Sequence, residues 1–311
     1  MIDIIIPAYN AHKTIGRALS SLVSQSERNN LNVVIVNDCS DHDYSKEVKE
    51  FSKYLKIKEY KLTENKGPGH ARQYGLDKTY GEYVMFLDSD DIIYSYYSIG
   101  FLKSKMEETY CDIVFSNIYD QDANGFRILD QDYIDVQGKL YRRRYLKDHN
   151  ITFPELYGEE DASFNNQCYS YGAHYETIGE ITYVRLYNEN SITRSNNEEY
   201  LNKYDEYFSQ SNLYTLNKLI ENNAGENFIV KYAYTGICHL FNRISVLHNN
   251  VYSNQKVLDN LKKIIAIYER YKNQLDYYDK KTIIDSFGLN YIDYICDKSL
   301  LTINEFIEKY K

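Results

Sequence analysis

The sequence predicts an α/β fold: a mostly parallel mixed sheet flanked by helices, followed by a helical C-terminal subdomain. Three observations carry this. Over the first 120 residues, short continuous apolar runs alternate with amphipathic stretches, the pattern of strands covered on both faces. Polar clusters close several of those runs, at the strand ends where parallel sheets gather ligands. Beyond about Asn197, helical periodicity takes over. The expected division is 1–197 and 198–311, the first part having halves of about 1–120 and 121–197.

The elements follow in order. Ile2 to Pro7 is a buried strand, and Ala11 to Gln25 a helix with apolar residues at Ile15, Ala18, Leu19, Leu22 and Val23. Leu31 to Val36 is the second strand, Ser45 to Tyr54 a helix, and Ile57 to Leu62 the third strand. Gly69 to Lys78 is a short helix opened by the Gly67-Pro68-Gly69 turn. Tyr83 to Leu87 is a strand running straight into Asp88. Ser98 to Glu108 is helical, and Asp112 to Ile118 is a fifth strand. Asn124 to Val136 is irregular. Leu140 to Asp148 reads as an Arg-rich helix, Glu160 to Tyr171 as another, and Tyr175 to Tyr187 as strand-like. Tyr200 to Ile220, Phe228 to Leu247, Val257 to Tyr271 and Thr282 to Cys296 carry helical spacing.

Composition bounds the function. At 311 residues and 43% hydrophobic, the chain can bury a large core. Its 35 tyrosines suit half-buried faces and sugar stacking, although Asn, Lys and Ile are frequent too, so the excess reads first as compositional bias. Residues 201–311 hold 14 Lys and Arg against 13 Asp and Glu, so the net charge of −9 resides in the first two thirds. That balance counts against nucleic acid as a partner. Five scattered cysteines without a C-x-x-C pair fit a reducing compartment, not a disulfide framework or a zinc site. The N-terminus lacks a positive n-region, and no run approaches the ~20 apolar residues of a spanning helix. A cytoplasmic protein is expected, at most peripheral at the inner face of a membrane.

The sharpest motif is Asp88-Ser89-Asp90-Asp91, three carboxylates in four residues at a strand end. Crowded carboxylates repel and raise one another's pKa. A hard divalent cation, Mg²⁺ or Mn²⁺, relieves this, with part of its shell left for substrate phosphates. The other reading makes Asp90 or Asp91 the N-cap of the next helix. Asp38, after the second strand, either accepts an N–H from a base edge or caps a turn. Glu159-Glu160-Asp161 either favours a helix start by its charge or supplies a general base that takes a proton from a hydroxyl nucleophile. Asn65 to Gly69, which lacks the P-loop pattern, is either a loop approaching a phosphate or a tight turn into the helix carrying Arg72. Arg142 to Arg144 is either a solvated helix face or a contact for an anionic acceptor or lipid phosphate.

Taken in order, these segments resemble family 2 of the inverting glycosyltransferases, which have the GT-A fold. Ile4 to Asn10 is similar to that family's IIIPAYN opening, and Val34 to Asp41 to its IVVDDGSTD, with Asn37 and Cys39 as departures. Asn65, Gly67, Ala71, Arg72 and Gly75 match NxGxxxARNxG, with Gln73 in place of Asn. Gly81 to Asp91 matches GEYIxFLDSDD, and Leu140 to Asp161 resembles its LYRRELL…FPE…ED run. The likeness covers about residues 2–195.

The resemblance implies roles. Pro7, Ala8 and Tyr9 would line the base and ribose, Asp38 would bond the base, typically uracil, and Arg72 would support the nucleotide-sugar pocket. Asp88 and Asp90 would form the DxD motif around Mn²⁺ or Mg²⁺, with Asp90 the direct ligand and Asp88 and Ser89 nearer the donor. Asp161 would be the catalytic base, Glu160 an acceptor or sugar contact, and Arg194 a residue of the segment closing over the diphosphate. The implied reaction moves a sugar from a nucleotide diphosphate donor to a saccharide or lipid-linked hydroxyl acceptor, in surface polysaccharide, glycolipid or teichoic-type polymer synthesis. Two alternatives stand: the same fold acting on a protein or a modified phage DNA base, and a nucleotide-binding paralogue without catalysis. The C-terminal helices would pair subunits into a homo-oligomer, rest on a membrane or cover the acceptor cleft.

Overall fold

In the computed structural model, strand β1 (Ile2–Ala8) is buried along its whole length. Residues 1–122, 125–130, 134–188, 198–247, 252–286 and 301–311 are described. They fall into two units, Met1–Asn197 and Glu198–Lys311.

In the first unit, β1 lies parallel to β2 (Leu31–Asn37) on one side and β4 (Tyr83–Phe86) on the other, and β3 (Lys56–Lys61) extends the sheet beyond β2. The register sets Ala8 opposite Asn37 and Ile5 opposite Phe86. Tyr9, Asp38 and Asp88 therefore leave three adjacent strands at one rim, as the sequence implies. β8 (Lys139–Arg142) is antiparallel to both β4 and β6 (Ile113–Asp122), which is parallel to β9 (Tyr175–Arg185). The two-residue β5 (Ile92–Ile93) pairs with β9, and β7 (Gly125–Leu129) makes a hairpin with β6. The order is β3-β2-β1-β4-β8-β6-β9-β5, with β7 off β6.

Both faces are covered, which is why the strands read as continuous apolar runs. Ile2, Ile4 and Ile6 pack with α1 (Ile15–Val23) and α4 (Ser98–Thr109). On the other face, Ile5, Val84 and Phe86 meet Phe153 and Phe164, the latter on α6 (Glu160–Ser170). The Phe153 and Phe164 rings stack at 4.0 Å and both meet Phe86 edge-on. Such buried rings contribute on the order of 3 kcal/mol each. They press the head of α6 against the end of β4, one residue before Leu87 and two before Asp88.

One element differs from the sequence reading, and one alternative within it falls. Leu140 to Asp148 is not one helix: β8 takes Lys139–Arg142, and α5 (Arg143–Asp148) begins only afterwards. Leu140 and Tyr141 are buried on opposite sides of the sheet, so tertiary packing overrides the helical spacing. The carboxylate motif is also not followed directly by a helix. β5 comes next, and α4 starts at Ser98 without a side-chain cap.

Among its described residues, the second unit holds α7 (Glu198–Glu221), α8 (Glu226–Phe241), α9 (Gln255–Tyr271), α10 (Tyr277–Ser286) and α11 (Ile303–Tyr310). Val230, Ala233, Ile237 and Phe241 give α8 a fully buried face, and Ile264, Ile265 and Phe306 are buried on α9 and α11. A capping box at Thr302 and Glu305 starts α11. The expected helix Thr282 to Cys296 overlaps α10, and its part beyond Ser286 lies outside the described residues. Among the described residues, no helix is long and apolar enough to cross a membrane.

Candidate active site

The rim is built from loops that brace one another. Asn10 adopts a left-handed φ of 49°; its backbone N–H donates to Ser40 Oγ at 2.9 Å, and its Oδ1 accepts from Asp41 N at 3.0 Å. Of the three residues closing β1, Pro7 and Ala8 are buried and only Tyr9 is exposed. Cys39 sits at φ 60°, which costs a β-carbon-bearing residue on the order of 1 kcal/mol, where the family pattern has glycine. Asp38 is buried, and its two carboxylate oxygens accept from Lys66 N at 3.1 Å and Gly67 N at 2.8 Å. It thus holds the Asn65–Gly67 turn. Burial pushes its carboxyl upward against the pull of those two amides.

That turn aims α3 (Pro68–Asp77). Gly67 has φ +87°, and Pro68 occupies the first turn. Gly69 approaches so closely that a Cβ there would lie 2.1 Å from Pro154 O and 3.0 Å from Glu160 Cβ. This approach delivers Arg72, 4% exposed, into the site. Its Nη1 donates to Glu160 Oε1 at 2.7 Å and Asp161 Oδ1 at 2.8 Å, and its Nη2 to Asp88 Oδ1 at 2.8 Å. One guanidinium therefore joins the end of β4 to the head of α6. Gln73 supports the same contact, since its Oε1 accepts from Phe153 N at 2.9 Å.

The three aspartates of the motif have separate surroundings. Asp88 also accepts from Gln137 Nε2 at 2.6 Å, and its backbone N–H donates to the Tyr183 hydroxyl at 3.1 Å. Burial pushes Asp88 up, but Arg72, Gln137 and Arg185 outweigh it and hold the carboxyl below the ordinary value. Asp91 is buried, accepts from Tyr183 Oη and Leu186 N at 2.9 Å each, and so latches the end of β9 to the motif. Burial, then the charges of Asp88 and Asp90, drive its carboxyl far up. Asp90 accepts from Asn188 Nδ2 at 2.8 Å, and burial with the Asp88 charge raises it. Ser89 lies between them, partly exposed. The helix-cap reading of Asp90 and Asp91 fails, because neither is followed by a helix.

On α6, burial and the charges of Glu160 and Asp88 push Asp161 up to about 7 against the pull of Arg72. Asp161 Oδ2 also meets Val136 N at 3.4 Å. Glu160 is raised by burial, and Glu159 reaches about 7 through burial and the charges of Asp135 and Asp161. A carboxylate poised near neutrality can exchange a proton with a hydroxyl at ordinary pH.

For a divalent cation, Asp90 is the fitting ligand of the motif. It is partly exposed and its carboxylate accepts from the neutral amide of Asn188, whereas Asp88 is committed to Arg72 and Gln137, and Asp91 to β9. Among the described residues, no group of three His, Cys, Asp or Glu side chains could hold a metal unaided. An ion here would complete its shell with water and ligand oxygens, as Mg²⁺ and Mn²⁺ commonly do.

Gln137, Tyr183 and Arg185 carry no signal in the sequence. Gln137 reaches the site from the loop before β8, and Tyr183 and Arg185 from the end of β9, and no spacing announces them. Arg194 lies outside the described residues. The Arg142–Arg144 cluster is neither a solvated face nor an open anion site. Arg142 donates to Cys111 O and Met106 O, and Arg143 to Gly81 O, Leu76 O, Asp3 and Thr79, which leaves only Arg144 exposed.

Comparison with known proteins bears on the family and the fold. The model of the family described as Glycosyl transferase family 2 matches residues 3–161. Over 184 residues the chain is 30% identical to the poly(ribitol-phosphate) beta-N-acetylglucosaminyltransferase TarS of Staphylococcus aureus; the match takes in 54% of this chain and 32% of TarS. The crystal structure of S. aureus TarS 1-349 in complex with UDP-GlcNAc superposes with a TM-score of 0.69 at 21% identity, covering 93% of this chain and 92% of that one. The mannosyltransferase PcManGT of Pyrobaculum calidifontis, in complex with GDP-Man and Mn²⁺, gives 0.51 at 15% identity, covering 93% and 79%. At these identities the superpositions speak for the fold, which is GT-A.

Proposed function

This chain belongs to glycosyl transferase family 2, and we propose that it transfers a sugar with inversion from a uridine diphosphate donor to a hydroxyl acceptor. The observation that carries the reading is the Arg72 bridge, which ties Asp88 and Asp161 to one guanidinium. It brings the motif facing the donor and the carboxylate facing the acceptor into one site. Asp161 takes the proton of the attacking hydroxyl, and Arg72 fixes its orientation. Attack from the face opposite the leaving diphosphate is a single displacement, so the anomeric configuration inverts.

Asp90 would be the main protein ligand of Mn²⁺ or Mg²⁺, with Asp88 and Ser89 toward the donor. A bound ion would supply charge stabilisation for the departing diphosphate. Tyr9 and the Lys66–Gly67 turn held by Asp38 would border the base, and Glu160 would face the sugar or acceptor. The TarS relative makes UDP-N-acetylglucosamine the first donor to test. A surface polysaccharide or teichoic-type polymer is the acceptor class.

The test is incubation with UDP-GlcNAc, UDP-glucose, UDP-galactose and GDP-mannose, with Mn²⁺, with Mg²⁺ or with EDTA, following release of nucleoside diphosphate. Metal-dependent release of UDP from one of the uridine donors is expected. No release from any donor, together with no metal-dependent binding of UDP, would sink the reading.

A further inference from the structure

The loop before β8 brings one amide, Gln137, into the reaction site. Its Nε2 donates to Asp88 Oδ2 at 2.6 Å. Asp88 is ion-paired with Arg72, and an ionised carboxylate accepts but cannot donate. The amide is therefore turned with its nitrogen to Asp88 and its oxygen away. That Oε1 atom is buried and finds no hydrogen-bond partner among the described residues. Buried polar atoms are nearly always paired, and an acceptor left alone weakens an equilibrium by about fivefold or more.

The backbone on either side holds Gln137 in place. Val136 before it is fully buried in the cluster that contains Phe86 and Phe153, and its N–H meets Asp161 Oδ2 at 3.4 Å. Gly138 after it adopts a φ of +67°, and its carbonyl accepts from Ser116 N at 3.0 Å and Ser116 Oγ at 2.9 Å. A Cβ on Gly138 would lie 2.7 Å from Ile118 Cγ2 and 2.9 Å from Ser116 Oγ, so the chain has no room to shift there. One segment thus touches Asp88 through the Gln137 side chain and Asp161 through the preceding amide.

This placement gains meaning from the proposed function, in which Asp88 faces the donor and Asp161 is the base, so that the reacting sugar lies between them. On that reading, we propose that Gln137 is a specificity-determining residue whose Oε1 accepts a hydrogen bond from a hydroxyl or amide N–H of the transferred sugar. The bond to Asp88 fixes the sense of the contact: the amide offers the sugar an acceptor, not a donor. A site built to bond a substrate hydroxyl or N–H discriminates strongly against the analogue that lacks it.

Isothermal titration of the full chain with Mn²⁺ tests this. The ligands are UDP, UDP-GlcNAc, UDP-glucose and UDP-galactose, and for the tightest of the three sugar nucleotides the analogues lacking one ring substituent at a time. In the wild-type chain, at least one analogue should bind at least fivefold more weakly than its parent. Gln137→Lys keeps an N–H for Asp88 and removes the acceptor oxygen. It should bind the parent at least fivefold more weakly, hold the Kd for UDP within twofold and reduce the penalty of that one analogue to less than twofold. A merely structural role would weaken UDP and its sugars alike. If the lysine variant binds no UDP, Gln137→Met takes its place in the same comparison. Equal binding of every analogue by the wild-type chain, binding of UDP but of no sugar nucleotide, parallel losses for UDP and the parent, or analogue penalties undiminished in the variant would each overturn the assignment. If the wild-type chain does not bind UDP, the donor reading falls and this inference falls with it.

Discussion

Replacing Arg72 by methionine removes the guanidinium that touches Asp88, Glu160 and Asp161 and leaves a side chain of similar length. With charge centres about 4 Å apart and an effective dielectric near 20, each pair is worth roughly 4 kcal/mol. Desolvation offsets several kcal/mol per ion, so the three pairs do not sum to a net gain. Removing one partner of a buried pair typically costs about 3–5 kcal/mol, and that is the expected loss at pH 8. Arg72 and Glu160 are too buried for solvent to screen this much. The pH dependence gives the sharper test. Burial already pushes Glu160 and Asp161 up, Asp161 to about 7, and loss of Arg72 pushes both higher. A carboxyl whose folded pKa is raised contributes stability that is fully present below its unfolded value and lost as pH rises through its folded value. The variant therefore regains ground as pH falls from 8 to 5.5. A tenfold gain in proton affinity at one of the two carboxyls makes that recovery at most about 1.4 kcal/mol. Hydrogen exchange of the β1 and β4 amides under urea reads the stability of the first unit alone. A deficit below about 1 kcal/mol at pH 8, or one that does not shrink on acidification, would refute the bridge as a working ion cluster.

Other outcomes rest on the same geometry. Asp161→Asn should cut transfer by about 10²–10⁴-fold while UDP still binds, and full transfer activity in that variant would remove Asp161 as base. Because Asp161 must be ionised to accept a proton and lies near 7, wild-type kcat should climb with pH and level off above about 7; a flat profile from about pH 5.5 to 8.5 contradicts the assignment. Tyr183→Phe deletes the hydroxyl between Asp88 N and Asp91, leaving both without that partner, and should cost about 1–3 kcal/mol; an unchanged Tm argues that the latch is dispensable. Gly69→Ala places a methyl against Pro154 O and should displace α3, costing about 1–3 kcal/mol and lowering transfer more than UDP binding; wild-type transfer would show that Arg72 is not positioned by that contact.

The rim is legible in the sequence because parallel strands buried on both faces leave an unmistakable pattern. Ile2 to Pro7, Leu31 to Val36 and Tyr83 to Leu87 are such runs, and one register rule sends their polar ends to the same edge. The division of labour within Asp88-Ser89-Asp90-Asp91 is not legible. Adjacent residues carry the same chemistry, but the chain turns between them, and each carboxylate meets a partner from a different place: Arg72 from α3, Asn188 from beyond β9 and Tyr183 from β9 itself. Those partners lie 16 to 98 residues away, separations at which spacing says nothing. The same holds for Arg142 to Arg144, which look like one basic patch. The change from strand to helix at Arg143 points two of them inward to backbone carbonyls. Leu140 to Asp148 misleads because a four-residue strand leading into a helix can carry helical spacing, and only the gap between β4 and β6 forces Lys139–Arg142 to extend. Even the choice between helix cap and ligand depends on the two residues after the motif. Ile92 and Ile93 pair with β9, and that pairing keeps Asp90 off a helix N-terminus and at the rim beside Asp88.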